Sequence, residues 1–159
     1  MIYTIHKGKH KASPIRFGFW FNRSLFRWRV TFLPGCRYEI PGVDQLDTNK
    51  LVGVGFLPGH HTDSARFGWR YNKKADVIEI LSYCYVNKKR EINFIHSVAI
   101  GQPVLLWLQI SKGAYLFFAG KDFGSVMHRH KKRFSYRLGT FFGGNKKAPH
   151  EMQIKIEAL

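Results

Sequence analysis

Along most of this chain apolar and polar residues alternate with a period of two. Ala65, Phe67, Trp69 and Tyr71 take every other position of one stretch, with Arg66 and Arg70 between them. Phe26, Trp28, Val30 and Phe32 do the same around Arg27 and Arg29. Successive side chains of a β-strand point to opposite faces, so each stretch predicts a strand with an aromatic inner face and a cationic outer one. Together they predict an aromatic core beneath a sheet whose outer face carries fixed positive charge. The same alternation, punctuated by Gly, Pro and Asn, predicts further strands over 15–21, 51–56, 76–86, 90–98, 104–110, 114–119, 133–142 and 152–157. Both faces of 76–86 are apolar, which places that strand inside a sheet. Three turn residues, Ser111-Lys112-Gly113, predict a hairpin between 104–110 and 114–119. Residues 120–129 follow no single period.

No apolar period of 3.6 persists beyond two turns, so the pattern predicts no helix. Roughly ten short strands with Gly and Pro turns between them predict an all-β fold, an antiparallel two-sheet sandwich of the jelly-roll kind. The 159 residues suit a single domain with one core, spanning 1–159. A short basic segment, 7–13, ends at Pro14 and reads as a loop or arm.

Charge sharpens the picture. The formal net charge is +16, from 26 Lys and Arg against 10 Asp and Glu. Such an excess favours a polyanionic partner: an acidic protein surface, an acidic glycan or nucleic acid. The basic residues are spread over many strands rather than gathered on one helix or groove, which ranks nucleic acid last. No apolar run approaches the ~18 residues of a membrane-spanning helix. The first residues lack the pattern of a signal peptide, which predicts a chain kept in the cytoplasm or assembled there into a particle. Cys36 and Cys84 stand alone and read as buried reduced thiols.

Candidate chemistry is sparse by the usual signatures. His60-His61 beside Asp63 is the most tempting cluster, but adjacent residues in extended chain point apart, and a polar turn explains them. His128 and His130 have the spacing for two imidazoles on one strand face, yet neighbouring cations disfavour a metal there. Asp44, Asp47 and Asn49 lack the later glutamate of a calcium loop. Glycoside hydrolysis needs two facing carboxylates, and Glu79 has no acidic neighbour two or four positions away. These absences predict no catalysis, no cofactor and no metal. Arg27, Arg29, Arg66 and Arg70 remain as forks for phosphate, carboxylate or sulfate. Tyr83, Tyr85, Trp20 and Trp107 are candidate stacking platforms, whereas Trp28, Phe67 and Trp69 read as core.

Three stretches, residues 47–53 (Asp-Thr-Asn-Lys-Leu-Val-Gly), 60–70 (His-His-Thr-Asp-Ser-Ala-Arg-Phe-Gly-Trp-Arg) and 142–150 (Phe-Gly-Gly-Asn-Lys-Lys-Ala-Pro-His), resemble a family of small proteins of tailed bacteriophages and Bacteroidetes-type bacteria. The resemblance implies a concanavalin-like jelly roll without established catalytic residues. By position it singles out Asn49, His60, His61, Arg66, Trp69, Asn145 and His150, which serve a fold as readily as a site. The combined expectation is a non-catalytic virion subunit, a capsid or tail decoration, held by its basic surface to acidic virion proteins. The alternatives are a lectin-like module for acidic surface glycans and a non-specific nucleic-acid binder.

Overall fold

A computed structural model describes residues 1–128 and 134–159. The fold is an all-β jelly roll: two six-stranded antiparallel sheets packed face to face. The strands are β1 (Ile2–Ile5), β2 (Phe19–Phe21), β3 (Leu25–Phe32), β4 (Asn49–Phe56), β5 (Ser64–Asn72) and β6 (Val77–Val86) in the first half of the chain. The second half supplies β7 (Lys89–Ala99), β8 (Pro103–Ser111), β9 (Ala114–Ala119), β10 (Asp122–Met127), β11 (Phe134–Leu138) and β12 (Met152–Ala158). The first sheet has the order β1-β12-β3-β8-β9-β10 and the second β2-β11-β4-β5-β6-β7. Short 3-10 turns at Pro34–Cys36 and Gly42–Leu46 occupy the loop between β3 and β4.

The period-two reading holds in both key strands. Phe26, Trp28, Val30 and Phe32 of β3 and Ala65, Phe67 and Trp69 of β5 are all buried between the sheets. Trp28 meets Phe67 edge-on at 6.3 Å, Phe32 lies 5.3 Å from Trp69, and Phe67 makes a T-shaped contact with Phe117 at 5.1 Å. Such pairs add ~0.5–1.5 kcal/mol each beyond the area they bury. The hairpin predicted around 111–113 is present, with Ser111 opposite Ala114. Strand β6 lies between β5 and β7, with Ile78, Ile80 and Cys84 in the core.

The structure corrects the sequence reading in three places. β3 and β5 belong to different sheets, so Arg27 and Arg29 stand on one outer face of the sandwich and Arg66 and Arg70 on the opposite one. The period of two specifies which side of its own sheet a residue takes, and cannot specify which sheet. Residues 122–127, which follow no clear period, form β10, an edge strand that among the described residues pairs with β9 alone. The basic segment 7–13 is not a free arm. The Gly8 and Ala148 amides donate to Ala148 and Lys9 carbonyls respectively, and Ser13 and Lys11 bridge to Thr4 and Phe141. His130 and the expected strand start at Arg133 lie outside the described residues.

Candidate functional site

The outer face of the second sheet carries a groove of about 560 Å³. Its floor is Lys50 at the start of β4, Ser64 and Arg66 at the start of β5 and Tyr83 and Tyr85 near the end of β6, its roof the segment after β11, and one rim the chain before β2. Two features of β4 make room for it. A Cβ on Gly53 would collide with the Arg66 Cα, and one on Gly55 would come within 2.6 Å of the Tyr136 ring, so Gly53 lets β5 approach closely and Gly55 lets that ring lie across the strand. A bulge between Lys50 and Gly53 sets Leu51 and Val52 together opposite Phe67, because Lys50 pairs with Gly68 and Gly53 with Arg66. The extra residue breaks the regular alternation of β4, and Lys50 lines the groove.

Arg66 is the centre of the groove. It sits between Gly53 and Tyr83 in the strand register, and only 8% of it is exposed. One guanidinium nitrogen donates to the Gly139 carbonyl at 2.6 Å, and Nε is buried without a hydrogen-bond partner. Burial brings its pKa down to about 10. Lys50 stands beside it, its ammonium donating to the Gly143 carbonyl at 2.8 Å and lying 5.1 Å over the Tyr83 ring. Burial, with Arg66 and Arg90 nearby, pushes Lys50 down to about 8. Lys11, Arg16 and Arg137 complete the cationic lining, and no Asp or Glu lines the groove among the described residues.

The histidines lie at one end. The turn Gly59–Thr62, closed by the Thr62 and Asp63 amides donating to the Gly59 carbonyl, brings the two imidazoles within 4.4 Å of each other. The polar turn expected here from the sequence is present, and it brings together two rings that extended chain would point apart. His60 Nδ1 is 3.4 Å from the Tyr136 hydroxyl, and His61 packs 5.3 Å from Tyr85. Burial, with His61 and Arg66 adding repulsion, lowers the His60 pKa and keeps its imidazole neutral near pH 7. The phenols of Tyr83 and Tyr136 are raised, chiefly by burial.

Among the nine residues singled out from sequence, the groove gathers three, Arg66, His60 and His61. Arg70, on the same face, is neutralised by Glu79, which accepts from its Nε at 2.5 Å. Arg27 and Arg29 are exposed on the other sheet, Arg29 within 3.3 Å of Glu157. Asn49 is buried, donating to the Tyr38 hydroxyl at 2.9 Å and accepting from the Gly143 amide, so it pins the roof. His150 hydrogen-bonds the Gly35 carbonyl at 2.8 Å, and Asn145 is exposed beyond the groove lining. Of the stacking candidates, Tyr83 and Tyr85 line the groove, while Trp20 packs on Phe26 and Trp107 on Phe118. Sequence reasoning missed Lys50, Arg137 and Tyr136. Their only local signal is a polar or aromatic residue within or opposite a glycine-spotted strand, which becomes meaningful once the bulge is known.

No protein-family model and no curated protein matches the sequence. Solved structures do match in fold. Alginate lyase AlyC3 in complex with dimannuronate superimposes with a TM-score of 0.60 at 7% identity, over 99% of this chain and 74% of that one. The polysaccharide lyase family 18 protein aly-SJ02 gives 0.56 at 5% identity, over 100% and 87%. The family 7 alginate lyase A1-II' in complex with product gives 0.53 at 8%, over 89% of this chain and 66% of its own length.

These matches overturn the expectation of a non-catalytic bacteriophage subunit. The jelly roll of this chain is one on which polysaccharide lyases are built, rather than a mark of the phage and Bacteroidetes family. The physical reason for the error is specific. Catalysis was excluded because paired carboxylates are absent, but a groove can carry proton-transfer chemistry on imidazole, phenol and amine groups.

Proposed function

We propose that the groove binds an acidic polysaccharide of the uronate type and cleaves it by β-elimination. The observation that carries this reading is Arg66, a buried guanidinium with an unpartnered Nε in a groove with no acidic lining residue among those described. A buried cation is costly without a counter-charge, and the described residues supply none there. A carboxylate on the ligand would accept from the free edge of that fork. The fold likeness to alginate lyases supports the substrate class.

The groove's groups suit the chemistry. Arg66 and Lys50 would bind the uronate carboxylate and stabilise the negative charge that develops when the adjacent C5–H is removed. Neutral His60 is assigned as the acceptor of that proton. The electron pair forms the C4–C5 double bond, the C4–O bond to the neighbouring sugar breaks, and the departing oxygen takes a proton from a groove phenol. Water is not consumed, so the absence of hydrolytic carboxylates is no obstacle.

The test is incubation of the purified chain with polymannuronate, polyguluronate and pectate. Expected are ultraviolet absorbance from an unsaturated uronate and shortened chains, both lost in Arg66→Met. Absence of product together with absence of retention on immobilised polyuronate overturns the reading. A second reading, lectin-like binding without cleavage, rests on the same lining: Tyr83 and Tyr85 beside the cations can hold an acidic glycan with no chemistry following. Retention without product selects it.

A further inference from the structure

A strip of exposed large apolar residues continues the groove beyond its charged centre. Phe17, Phe19 and Phe21 are 85%, 66% and 70% exposed, and Ile15 precedes them at the same spacing. The alternation here runs opposite to that of a strand covering a core: Trp20, between two of the phenylalanines, turns inward onto Phe26 at 5.0 Å. In the register of β2 with β11, Phe19 pairs with Tyr136 and Phe21 with Phe134. Tyr136 in turn pairs with Gly55 of β4. Phe19 and Phe134 lie with ring centroids 5.8 Å apart and planes within 21°. Ile15, Arg16 and Phe17 themselves line the groove. The strip and the groove are therefore one surface, passing from the exposed rings through Phe17 and Arg16 to the cations around Arg66.

Resting on the function proposed above, we infer that this strip is a sugar-stacking extension of the groove, occupied by the units of a uronate chain next to the one held at Arg66. A pyranose ring offers an apolar C–H face and a polar edge, and a uronate adds a carboxylate on that edge. Aromatic rings take the C–H face, and Arg16, between Ile15 and Phe17, stands where it can meet the edge charge. Exposed apolar surface that is continuous with a binding groove marks an interaction site rather than a defect of packing. The inference commits to polysaccharide, because the strip adjoins the cationic groove and its own charged residue is a cation.

The experiment is titration calorimetry of the whole chain with uronate oligosaccharides from disaccharide to octasaccharide, compared with Phe19→Ala/Phe21→Ala. Wild type should gain affinity as the oligosaccharide lengthens. The double variant should keep disaccharide affinity and lose the gain, on the order of tenfold for the longest ligand. Both chains should melt at the same temperature, since the replaced rings are exposed. Equal length dependence in both proteins overturns the inference while leaving the groove reading intact. A wild-type dimer in light scattering that the double variant converts to monomer also overturns it and assigns the strip to a second copy of the chain. Failure of wild type to bind any oligosaccharide removes the groove reading and the strip together, and is recognised by the loss at disaccharide length.

Discussion

Strands β3 and β5 have nearly the same pattern and opposite fates. Each alternates aromatic residues with arginines, and each buries its aromatics between the sheets. On β3 the outward residues Arg27 and Arg29 remain in solvent, Arg29 near Glu157 of the neighbouring strand. On β5 the outward Arg66 is sealed under the Gly139–Gly144 roof, and Arg70 is cancelled by Glu79. The difference lies in the neighbours. β3 is flanked by β12 and β8, whose outward side chains leave its cations open, whereas β5 is flanked by a bulged, glycine-bearing β4 that lets the roof close over it. An arginine on a strand is a solvated charge or a binding group according to what stands one strand away.

The inner faces offer the most severe test, because there the two strands should behave alike. Trp28→Ala and Trp69→Ala should each cost ~3–5 kcal/mol from lost burial and the cavity left behind. Denaturant melts should show both as barely folded. A small loss for either would show that its strand is not half buried.

The outer faces should then separate the strands. Arg66→Met should weaken uronate binding by ~1.5–3 kcal/mol, the worth of hydrogen bonds to a charged group, while stability holds or rises because a buried charge is removed. Arg27→Ala and Arg29→Ala should leave affinity unchanged and move stability by no more than ~0.5 kcal/mol. Equal effects on binding would place the site on the wrong sheet.

A further substitution tests the glycine beneath Tyr136. Gly55→Ala places a methyl against the Tyr136 ring and should cost ~1–3 kcal/mol by overpacking. It should also shift the titration of His60, which that phenol contacts, in a histidine proton NMR series. An unchanged His60 would detach Tyr136 from the site.

The smallest effect is a pH dependence specific to the groove side. Lys50 has its pKa lowered from 10.5 to about 8 in the folded chain. Between those values the unfolded state binds the proton and the folded state does not, so stability should rise as pH increases through that window. Uronate affinity should fall over the same rise, because the ammonium loses its charge. Lys50→Met should flatten both slopes relative to wild type, whereas Lys155→Met on the first sheet should leave them unchanged.

Much of the fold was legible. The alternation in 26–32, 65–71 and 152–157 identified strands and their buried faces, and the turn residues located most of the strand boundaries. The site was legible only in fragments. Arg66 was visible as an outward arginine, but its burial was not, since nothing near it in sequence announces the roof contributed by residues 139–144. His60 and His61 were visible as a pair, and only the turn at Gly59 brings their rings together. Arg70 looked equivalent to Arg66 until Glu79, nine positions away, was found to occupy it. The exposed phenylalanines of 15–21 were read simply as strand, because alternation alone does not say which of its two faces meets the core.

What the sequence determined by itself was local: which residues share a face, where the chain turns, and that the whole carries a large positive charge. These follow from the two-residue repeat of the strand and from residue chemistry. Tertiary structure decided which sheet each strand joined, and so which arginines became neighbours. It also decided the bulge that turns Lys50 toward Arg66. Both depend on pairings between residues far apart in the chain, and register across strands is a property of the partners, which no single stretch of sequence contains.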